Sequence, residues 1–428
     1  MREMKDSGIK WIGAIPNHWR VSKIKQIVRW KSVKGQPDLP VLSLYRDYGV
    51  IPKDSRDDNH NVTSLDTSGY KVVEHGDLVI NKMKAWQGSL AVSEYNGVVS
   101  PAYHICKITS ENICKKYLHY LLRDASYLPE YMRLSTGLRV GQWDLSFDDF
   151  KNIPFLVPPL AEQERIAAFL DAECTEIDAV LEKTRASIEE YKKLKQAVIT
   201  QAVTKGIRGD RPMKDSGIEW VGEIANEFAV YKFKYLLKTP MQYGANEAGI
   251  TFDKTLPRYI RITDITSDGR LKQDNRLCIE DTVAKPYILQ DGDLLFARSG
   301  GTVGKSFLYK QSYGNAAFAG YLIRAVVNRT IAVPEYVYYY TNSSIYDTWK
   351  NSIFIQSTIQ NIGADRYSNM PIIVPNNIEE QRSIVEYLNE RCVGIDALIR
   401  KKQQYLTEIE NYKKSLIYEY VTGKKEVV

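Results

Sequence analysis

Two long segments of the chain carry hydrophobic residues at alternating intervals of four and three. The first lies within residues 160–205, which contain no proline or glycine, and the second lies near the end of the sequence. A 3.5-residue repeat sustained over about four heptads is typical of a coiled coil, although an ordinary amphipathic helix also has one apolar side. The repeating positions are Ile177, Leu181, Thr184, Ile188, Tyr191, Lys195, Val198 and Ala202, and then Ile395, Ile399, Lys402, Leu406, Ile409, Lys413, Leu416 and Tyr420.

A coiled coil is favoured because the two seams match even where they are polar. Lys195 and Lys413 interrupt them at equivalent places, 413 − 195 = 218 residues apart. If the helices pack antiparallel, a pseudo-two-fold axis relates the two halves of the chain. The stretch from 177 to 202 would extend about 39 Å, which corresponds to about 11 base pairs of duplex DNA.

The globular parts of the sequence repeat as well. Met4–Val28 and Met213–Leu237 agree at 13 of 25 positions without a gap, at an offset of 213 − 4 = 209. Pro154–Gln163 and Pro371–Gln381 form a second matching pair, each at the start of a long helix. A period of 210–220 residues is far too long for a solenoid unit of about 20–50 residues, so it indicates duplicated domains. The dissimilar segments between these frames favour two different recognition surfaces on one scaffold, with drift of duplicated loops as the alternative.

These patterns predict the architecture. We expect an α+β protein with two mixed α/β recognition domains in a tandem pseudo-repeat, separated by two long helices that form an antiparallel coiled coil. The predicted boundaries are 1–157 for the first recognition domain, 158–208 for the first long helix, 209–375 for the second domain and 376–428 for the second long helix. Apolar runs such as Ile153–Val157 and Met370–Val374 have the length of strands, far below the ~18 residues of a membrane span.

Composition narrows the class of protein. The 428 residues are 44% hydrophobic and 26% charged, as in ordinary globular proteins. A formal net charge of +6 permits a nucleic-acid partner without demonstrating one. The five cysteines are odd in number and widely spaced, and the N-terminus has no apolar signal core. We therefore expect a cytoplasmic protein with no disulfide framework and no membrane partner.

Both copies place donor side chains directly after a strand-like run. Lys82 follows Asp77–Asn81, and Arg298 follows Leu294–Ala297. Lysine and arginine can donate to guanine or phosphate, and glutamine can pair with adenine. Each cluster alone could be a solvated loop, but the matching placement favours DNA contact. The candidate DNA-binding residues are Lys82, Lys84, Trp86, Gln87, Arg139, Gln142, Trp143, Arg258, Arg261, Arg298, Ser299, Lys305, Gln356 and Gln360.

Catalytic motifs are missing from the sequence. The glycine-rich segment at 300–306 resembles a Walker phosphate loop, but that pattern requires its first glycine at position 299, which is Ser299. We therefore predict a tight turn and no nucleotide site. No Asn-Pro-Pro-aromatic methyltransferase tetrad is present, and no histidine follows His119. A duplicated enzyme would be expected to repeat its catalytic residues. We predict a non-catalytic binding protein with no metal site.

Several segments together resemble the specificity subunits of type I restriction–modification systems. They are MKDSGIKWIGAIPNHW and its echo MKDSGIEWVGEI, GDLVINKMKAWQGSLAVSEYNGVVSPAY, GDLLFARSGGTVGKS, and PFLVPPLAEQERIAAFLD before the first long helix. The resemblance covers nearly the whole chain. The second copy departs from it at Ala225 and Phe228, which replace the Pro16 and Trp19 of the first, and at Asn376–Asn377.

This resemblance implies two target-recognition domains that each read one half of a bipartite double-stranded DNA site with a non-specific spacer. It also implies two adenine-N6 methyltransferase subunits docked on the helices and motor-nuclease restriction subunits outside them. S-adenosylmethionine, ATP and Mg are expected on those partners, with no cofactor on this chain. The alternatives are a non-catalytic coiled-coil adaptor that binds proteins, and a fused restriction enzyme or NTPase.

Overall fold

The chain folds into two compact units, seen in a computed structural model that describes residues 2–46, 48–56, 63–64, 66–137, 143–266, 269–355 and 360–427. The first unit comprises Met1–Arg185 together with Gln404–Val428, and the second comprises Ala186–Gln403. Each long helix therefore contributes one part to each unit. The prediction of two mixed α/β units in tandem with two long helices is confirmed.

The first unit is built from short strands and short helices that precede the first long helix. Its strands are β1 (Met4–Asp6), β2 (Ala14–Pro16), β3 (Arg20–Lys23), β4 (Val28–Lys31), β5 (Leu42–Tyr45), β6 (Gly49–Pro52), β7 (Lys71–Val73), β8 (Asp77–Asn81), β9 (Leu90–Val92), β10 (Gly97–Val99), β11 (Tyr103–Ile108), β12 (Ser135–Thr136), β13 (Asp144–Leu145) and β14 (Pro154–Val157). Its helices are α1 (Lys115–Arg123), α2 (Leu128–Leu134), α3 (Phe147–Phe150) and the start of α4 (Leu160–Lys205).

The second unit follows and repeats part of this order. Its strands are β15 (Met213–Asp215), β16 (Glu223–Ala225), β17 (Phe228–Lys232), β18 (Gln242–Tyr243), β19 (Ile250–Thr251), β20 (Arg258–Ile260), β21 (Leu277–Cys278), β22 (Leu294–Ala297), β23 (Ser306–Leu308), β24 (Ala316–Phe318), β25 (Leu322–Ala325) and β26 (Pro371–Pro375). Its helices are α5 (Asp281–Ala284), α6 (Pro334–Tyr340), α7 (Ser344–Ile355), α8 (Ala364–Ser368) and α9 (Ile378–Val421).

Both units share a four-stranded antiparallel sheet. Its order is β4-β11-β8-β9 in the first unit and β18-β25-β22-β23 in the second. The elements added to this frame differ, because the second unit has a further sheet, β19-β21-β20-β24, with β20 and β24 parallel. The first unit has the pairs β5-β6 and β7-β10 instead. The unalignable inserts of the sequence thus form different structures on a common frame.

A shared turn leads into the central strand of each sheet. Gly76 has a φ of +87°, in the left-handed region that favours glycine, and Gly292 in the second unit has the same value. The Asp77 carboxylate accepts a hydrogen bond at 2.9 Å from the backbone three residues earlier, and Asp293 does the same. The repeated Gly-Asp-Leu motif is therefore explained by turn chemistry followed by a buried strand.

The long helices pair antiparallel within each unit. In the first unit the rings of Phe169 and Tyr420 are 4.4 Å apart, and Arg185 Nη2 donates to Glu410 Oε1 at 2.7 Å. Residue numbers rise along α4 while those of the contacting residues fall along α9, as an antiparallel pair requires. The apolar seam positions are buried or half-buried: Ile177, Leu181, Ile188, Tyr191, Val198, Ile395, Ile399, Leu406, Ile409 and Leu416.

The polar residues in the seam have charged partners. Lys413 Nζ lies 2.6 Å from Asp178 Oδ1 in the first unit, and Lys195 Nζ lies 2.7 Å from Asp396 Oδ2 in the second. These pairs are repeat equivalents, since 413 − 195 and 396 − 178 both equal 218. A charged side chain at a seam position fixes the register of a coiled coil, because any other register leaves it without its partner.

A buried tyrosine holds the last turn of each long helix. Tyr117 Oη lies 3.0 Å from the carbonyl oxygen of Val421, and Tyr336 Oη lies 3.0 Å from that of Val203. The last four carbonyls of a helix have no donor within the helix, so each hydroxyl satisfies a group that would otherwise be buried without a partner. The two contacts are equivalent, because 421 − 203 = 218.

The two ends of the chain meet in the first unit. Arg2 Nε lies 3.2 Å from Glu426 Oε2, and Lys424 Nζ donates to the carbonyl oxygen of Ile12 at 3.1 Å. Arg2 also contacts the buried carboxylate of Glu162. Side-chain contacts therefore join the segment after α9 to the residues before β1 and to the loop between β1 and β2.

Candidate nucleic-acid interface

The candidate donors lie where the central strands end. Lys82 follows β8 and Arg298 follows β22, at an offset of 298 − 82 = 216. Both backbones are fixed in the same way: Lys82 N donates to the carbonyl oxygen of Ala102 at 3.2 Å, and Arg298 N donates to that of Tyr321 at 3.0 Å. The fold thus presents the two side chains from the same position on two related sheets.

In the first unit these residues form a cluster of aromatic and polar side chains, which we call the first strand-end cluster. Lys82 Nζ lies 3.0 Å from Asp144 Oδ2. The rings of Trp86 and Trp143 pack edge to face with centroids 5.1 Å apart, and Trp86 Nε1 donates to the carbonyl oxygen of Met83. The exposed members are Lys84 and Gln87. Their amine and amide are therefore open to a ligand, whereas the charge of Lys82 is already paired.

Positive charge accumulates behind this cluster. Lys71 is buried and its Nζ donates to the carbonyl oxygen of Tyr103 at 2.6 Å. Burial lowers the pKa of Lys71, and the nearby charges of Lys34 and Lys82 lower it further. Burial also lowers the pKa of His104, which favours the neutral imidazole, so His104 adds no charge here. The neighbouring amines of Lys34, Lys71 and Lys82 are suited to a polyanion such as a phosphate backbone.

In the second unit the corresponding residues form the second strand-end cluster. The guanidinium of Arg298 lies over the ring of Tyr243, 5.0 Å from its centroid, and Tyr243 Oη accepts a hydrogen bond from Ala364 N at 3.0 Å. Tyr321 is 60% exposed. Ser299 forms a backbone bridge with Asn361. The predicted Gln360 is exposed next to that bridge, so Arg298, Ser299 and Gln360 come together.

The glycine-rich segment forms the predicted tight turn, between β22 and β23. Three of its backbone N–H groups are used internally: Val303 N donates to Gly300 O at 3.0 Å, Gly304 N to Ala297 O at 2.9 Å and Lys305 N to Thr302 O at 3.0 Å. A phosphate-binding loop needs such N–H groups directed at the ligand. These three groups are therefore not available to a phosphate, and the turn adds the exposed side chain of Lys305 to a charged surface.

Two predicted residues lie in different surroundings from those expected. Arg258 is only 7% exposed and its Nη2 donates to the carbonyl oxygen of Lys272. Burial lowers the pKa of its guanidinium. Its strand, β20, pairs with β21 and β24 at its two edges, and all three of its residues are buried, so both of its faces are covered. Arg261 is bound to Asp264 through Nη2 at 2.8 Å and is part-buried. Arg258 is thus a structural residue, and Arg261 is held by a carboxylate.

Arg139, Gln142 and Gln356 lie outside the described residues. The residues that sequence reasoning missed are Asp144, Tyr243 and Tyr321. Neither tyrosine lies in a distinctive sequence motif. Asp144 is distant from Lys82 in sequence, and the fold brings the two side chains together. The equivalent placement of Lys82 and Arg298 after a strand was the sequence signal for this candidate site. It could not reveal the side chains that distant segments of the chain bring to it.

Among the described residues, no group of three or more His, Cys, Asp or Glu side chains is placed so that it could hold a metal ion. Within those same ranges no helix is long and apolar enough to cross a membrane. Large pKa shifts belong to buried groups away from the strand ends, such as Cys106, whose pKa desolvation raises to about 12, and His119, whose pKa burial lowers to about 3.

The sequence is similar to those of known proteins. The family model described as "Type I restriction modification DNA specificity domain" matches residues 16–190 and 258–410. The type I restriction enzyme EcoKI specificity subunit of Escherichia coli (strain K12) is 24% identical over 315 residues, which are 72% of this chain and 65% of that relative. The MjaVIII specificity subunit of Methanocaldococcus jannaschii is 22% identical over 424 residues, 96% of this chain and 94% of the relative.

A solved structure has the same fold. It comes from work titled as the structural basis of complex assembly and conformational transition of the type I R-M system. Its chain superposes with a TM-score of 0.66 at 14% identity, covering 96% of this chain and 99% of that one. With a family model that matches most of its length in two tandem segments, the chain belongs to the type I restriction–modification DNA specificity family.

Proposed function

We propose that the chain is the DNA-specificity subunit of a type I restriction–modification complex, in which each unit reads one half of a bipartite double-stranded site with a non-specific spacer. The observation that carries this proposal is the pair of strand-end clusters. Their backbone frame is the same in both units, whereas the side chains on it differ. Two readers on one type of scaffold suit a site with two unlike halves.

The paired helices carry a surface suited to a partner. The positions directly before the seam are usually charged in two-stranded coiled coils. Four of these positions instead hold exposed apolar or aromatic side chains: Val180 (40%) and Tyr412 (55%) in the first unit, and Leu194 (48%) and Leu398 (45%) in the second. Val180 and Leu398 are repeat equivalents, as are Leu194 and Tyr412, because each pair differs by 218. A patch repeated in both units fits two copies of one partner.

In the proposed complex these partners are two adenine-N6 methyltransferase subunits, and motor-nuclease subunits join to restrict unmodified DNA. The partners supply S-adenosylmethionine, ATP and Mg, and this chain supplies recognition without catalysis of its own. The complex acts in the cytoplasm. The names of the relatives, which are type I restriction enzyme specificity subunits, support this assignment.

The test reconstitutes the chain with an adenine methyltransferase encoded beside it and maps methylated adenines on a random-sequence DNA library. We expect one bipartite motif, and no methyl transfer by the chain alone with methyl donor. Binding should also fall steeply with salt, because phosphate contacts release counterions. Transfer by the chain alone would contradict the non-catalytic assignment. Methylation without a motif would contradict the specificity function.

A further inference from the structure

The strand ends of the two units are equivalent in position but not in chemistry. In the second unit Tyr243, Tyr321 and Arg298 stand at the same end of three adjacent strands, β18, β25 and β22. The register of the first sheet places Ser32, Ala102 and Lys82 at the corresponding positions of β4, β11 and β8. Two aromatic residues and an arginine in the second unit therefore correspond to a serine, an alanine and a lysine in the first.

Arg298 is held for a directional contact. Its guanidinium lies 5.0 Å from the centroid of the Tyr243 ring, and that ring is fixed by the hydrogen bond from Ala364 N. Its Nε is buried without a hydrogen-bond partner among the described residues. The same part of the chain places no carboxylate within salt-bridge distance of Arg298. The two Nη groups have no hydrogen-bond partner among the described residues, so both remain available to a ligand, and the ring of Tyr243 limits where the guanidinium can lie.

Lys82 differs in each of these respects. It forms an ion pair with Asp144 at 3.0 Å, and the side chain is 34% exposed. A lysine presents a single charged point without a fork of donors, and here that point is partly neutralised. In the first unit the exposed donors next to the strand end are Lys84 and Gln87 instead.

We propose that Arg298 is a specificity-determining residue that reads a guanine in the half-site bound by the second unit, with Tyr243 as the platform that orients it. This inference rests on the proposed function of the chain. A planar fork of two donors matches the O6 and N7 acceptors of guanine in the major groove, and no other base presents that pair of acceptors. The equivalent Lys82 makes no such contact, so the two half-sites are read by different chemistry from the same structural position.

The test uses the reconstituted complex with the methyltransferase and the motif obtained with the wild-type chain. Methylation rates are measured on duplexes that carry the motif or a substitution at each guanine of each half-site. With Arg298→Ala, which removes both donors, discrimination for one guanine should fall about 5- to 150-fold, the range for a bidentate base contact. Arg298→Lys, which keeps the charge but loses the fork, should reduce it to a smaller extent. All other positions should remain discriminated as before.

Three further variants separate the possible roles. Tyr243→Leu should weaken discrimination at the same guanine, whereas Tyr243→Phe, which keeps the ring, should weaken it less. The matched control is Arg329→Ala. Arg329 is an exposed arginine (59%) that lies near Asp291. Asp291 precedes β22, so this control is at the end of the strand opposite to Arg298. It should leave every position unchanged. Circular dichroism of each variant checks that the second unit remains folded.

Defined results would overturn the inference. A wild-type motif with no guanine on either strand of the half-site bound by the second unit would exclude a guanine reader there. An Arg298→Lys variant that keeps full discrimination at every position would show that the fork is not used. Equal weakening of all sequences by Arg298→Ala would identify a phosphate contact. If the wild-type complex gives no motif at all, the proposed function itself fails, which is a different result from any of these.

Discussion

The hydroxyl of Tyr336 provides a direct test of how each unit holds a long helix. The side chain is fully buried, and Oη lies 3.0 Å from the carbonyl oxygens of both Val203 and Ile373. Tyr336→Phe removes the donor and leaves the acceptor in the last turn of α4 buried without a partner. Losing one partner of a buried hydrogen bond costs about 1–3 kcal/mol. We expect the free energy of unfolding of the second unit to fall by that amount.

The assay is unfolding in urea, monitored by circular dichroism. All variants are analysed with one slope for the dependence of the free energy of unfolding on urea concentration. With a slope of about 3 kcal/mol per molar, the midpoint should move down by about 0.3–1 M. Tyr117→Phe makes the equivalent change in the first unit, where the hydroxyl contacts the last residue of α9, and should have a similar effect. Tyr235→Phe is the control, because Tyr235 is 62% exposed. If Tyr336→Phe unfolds at the same urea concentration as this control, the hydroxyl does not stabilise the helix end.

Two further predictions concern charged groups. Burial opposes ionisation of Glu162, but hydrogen bonds from His18, Arg2 and Trp19 lower its pKa below the ordinary value of 4.5. A depressed pKa adds stability above 4.5 that is lost as the pH falls through the lower folded value. The stability difference between wild type and Glu162→Gln should therefore shrink on acidification from pH 7 to pH 3, and a constant difference would refute this. In the seam, Lys195 and Asp396 are each about 30% exposed, so a double-mutant cycle should give a coupling of about 0.5–1 kcal/mol. Zero coupling would mean that this pair does not help to set the register.

Local patterns predicted the frame of the molecule closely. The stretch without proline or glycine coincides with α4, and the runs Asp77–Asn81 and Leu294–Ala297 coincide with β8 and β22. Such elements are encoded by periodicity and by residues near one another in sequence. The seam could also be assigned, because a heptad pattern specifies which side of each helix is buried.

The partners of the candidate readers could not be predicted in this way. Asp144 lies 144 − 82 = 62 residues after Lys82, and Tyr243 lies 298 − 243 = 55 residues before Arg298. Whether a basic side chain is paired or free depends on such distant contacts. Arg258 shows the same difficulty, since the pattern around it resembles a surface strand but β20 is covered on both sides. Sequence located the strand ends, and only the fold showed which donors remain available there.

The contrast between frame and strand ends has a physical cause. A frame contact such as Tyr336 with Val203, or Lys195 with Asp396, joins two groups whose positions are fixed by packing. Loss of the Tyr336 hydroxyl leaves a buried carbonyl oxygen without a donor, and a change at Lys195 alone leaves the charge of Asp396 without its partner. Exposed side chains near a strand end, such as Lys84 and Gln87, are less constrained by contacts within the chain. Substitution there alters what can be bound without altering the fold, which allows one scaffold to carry two readers with different chemistry.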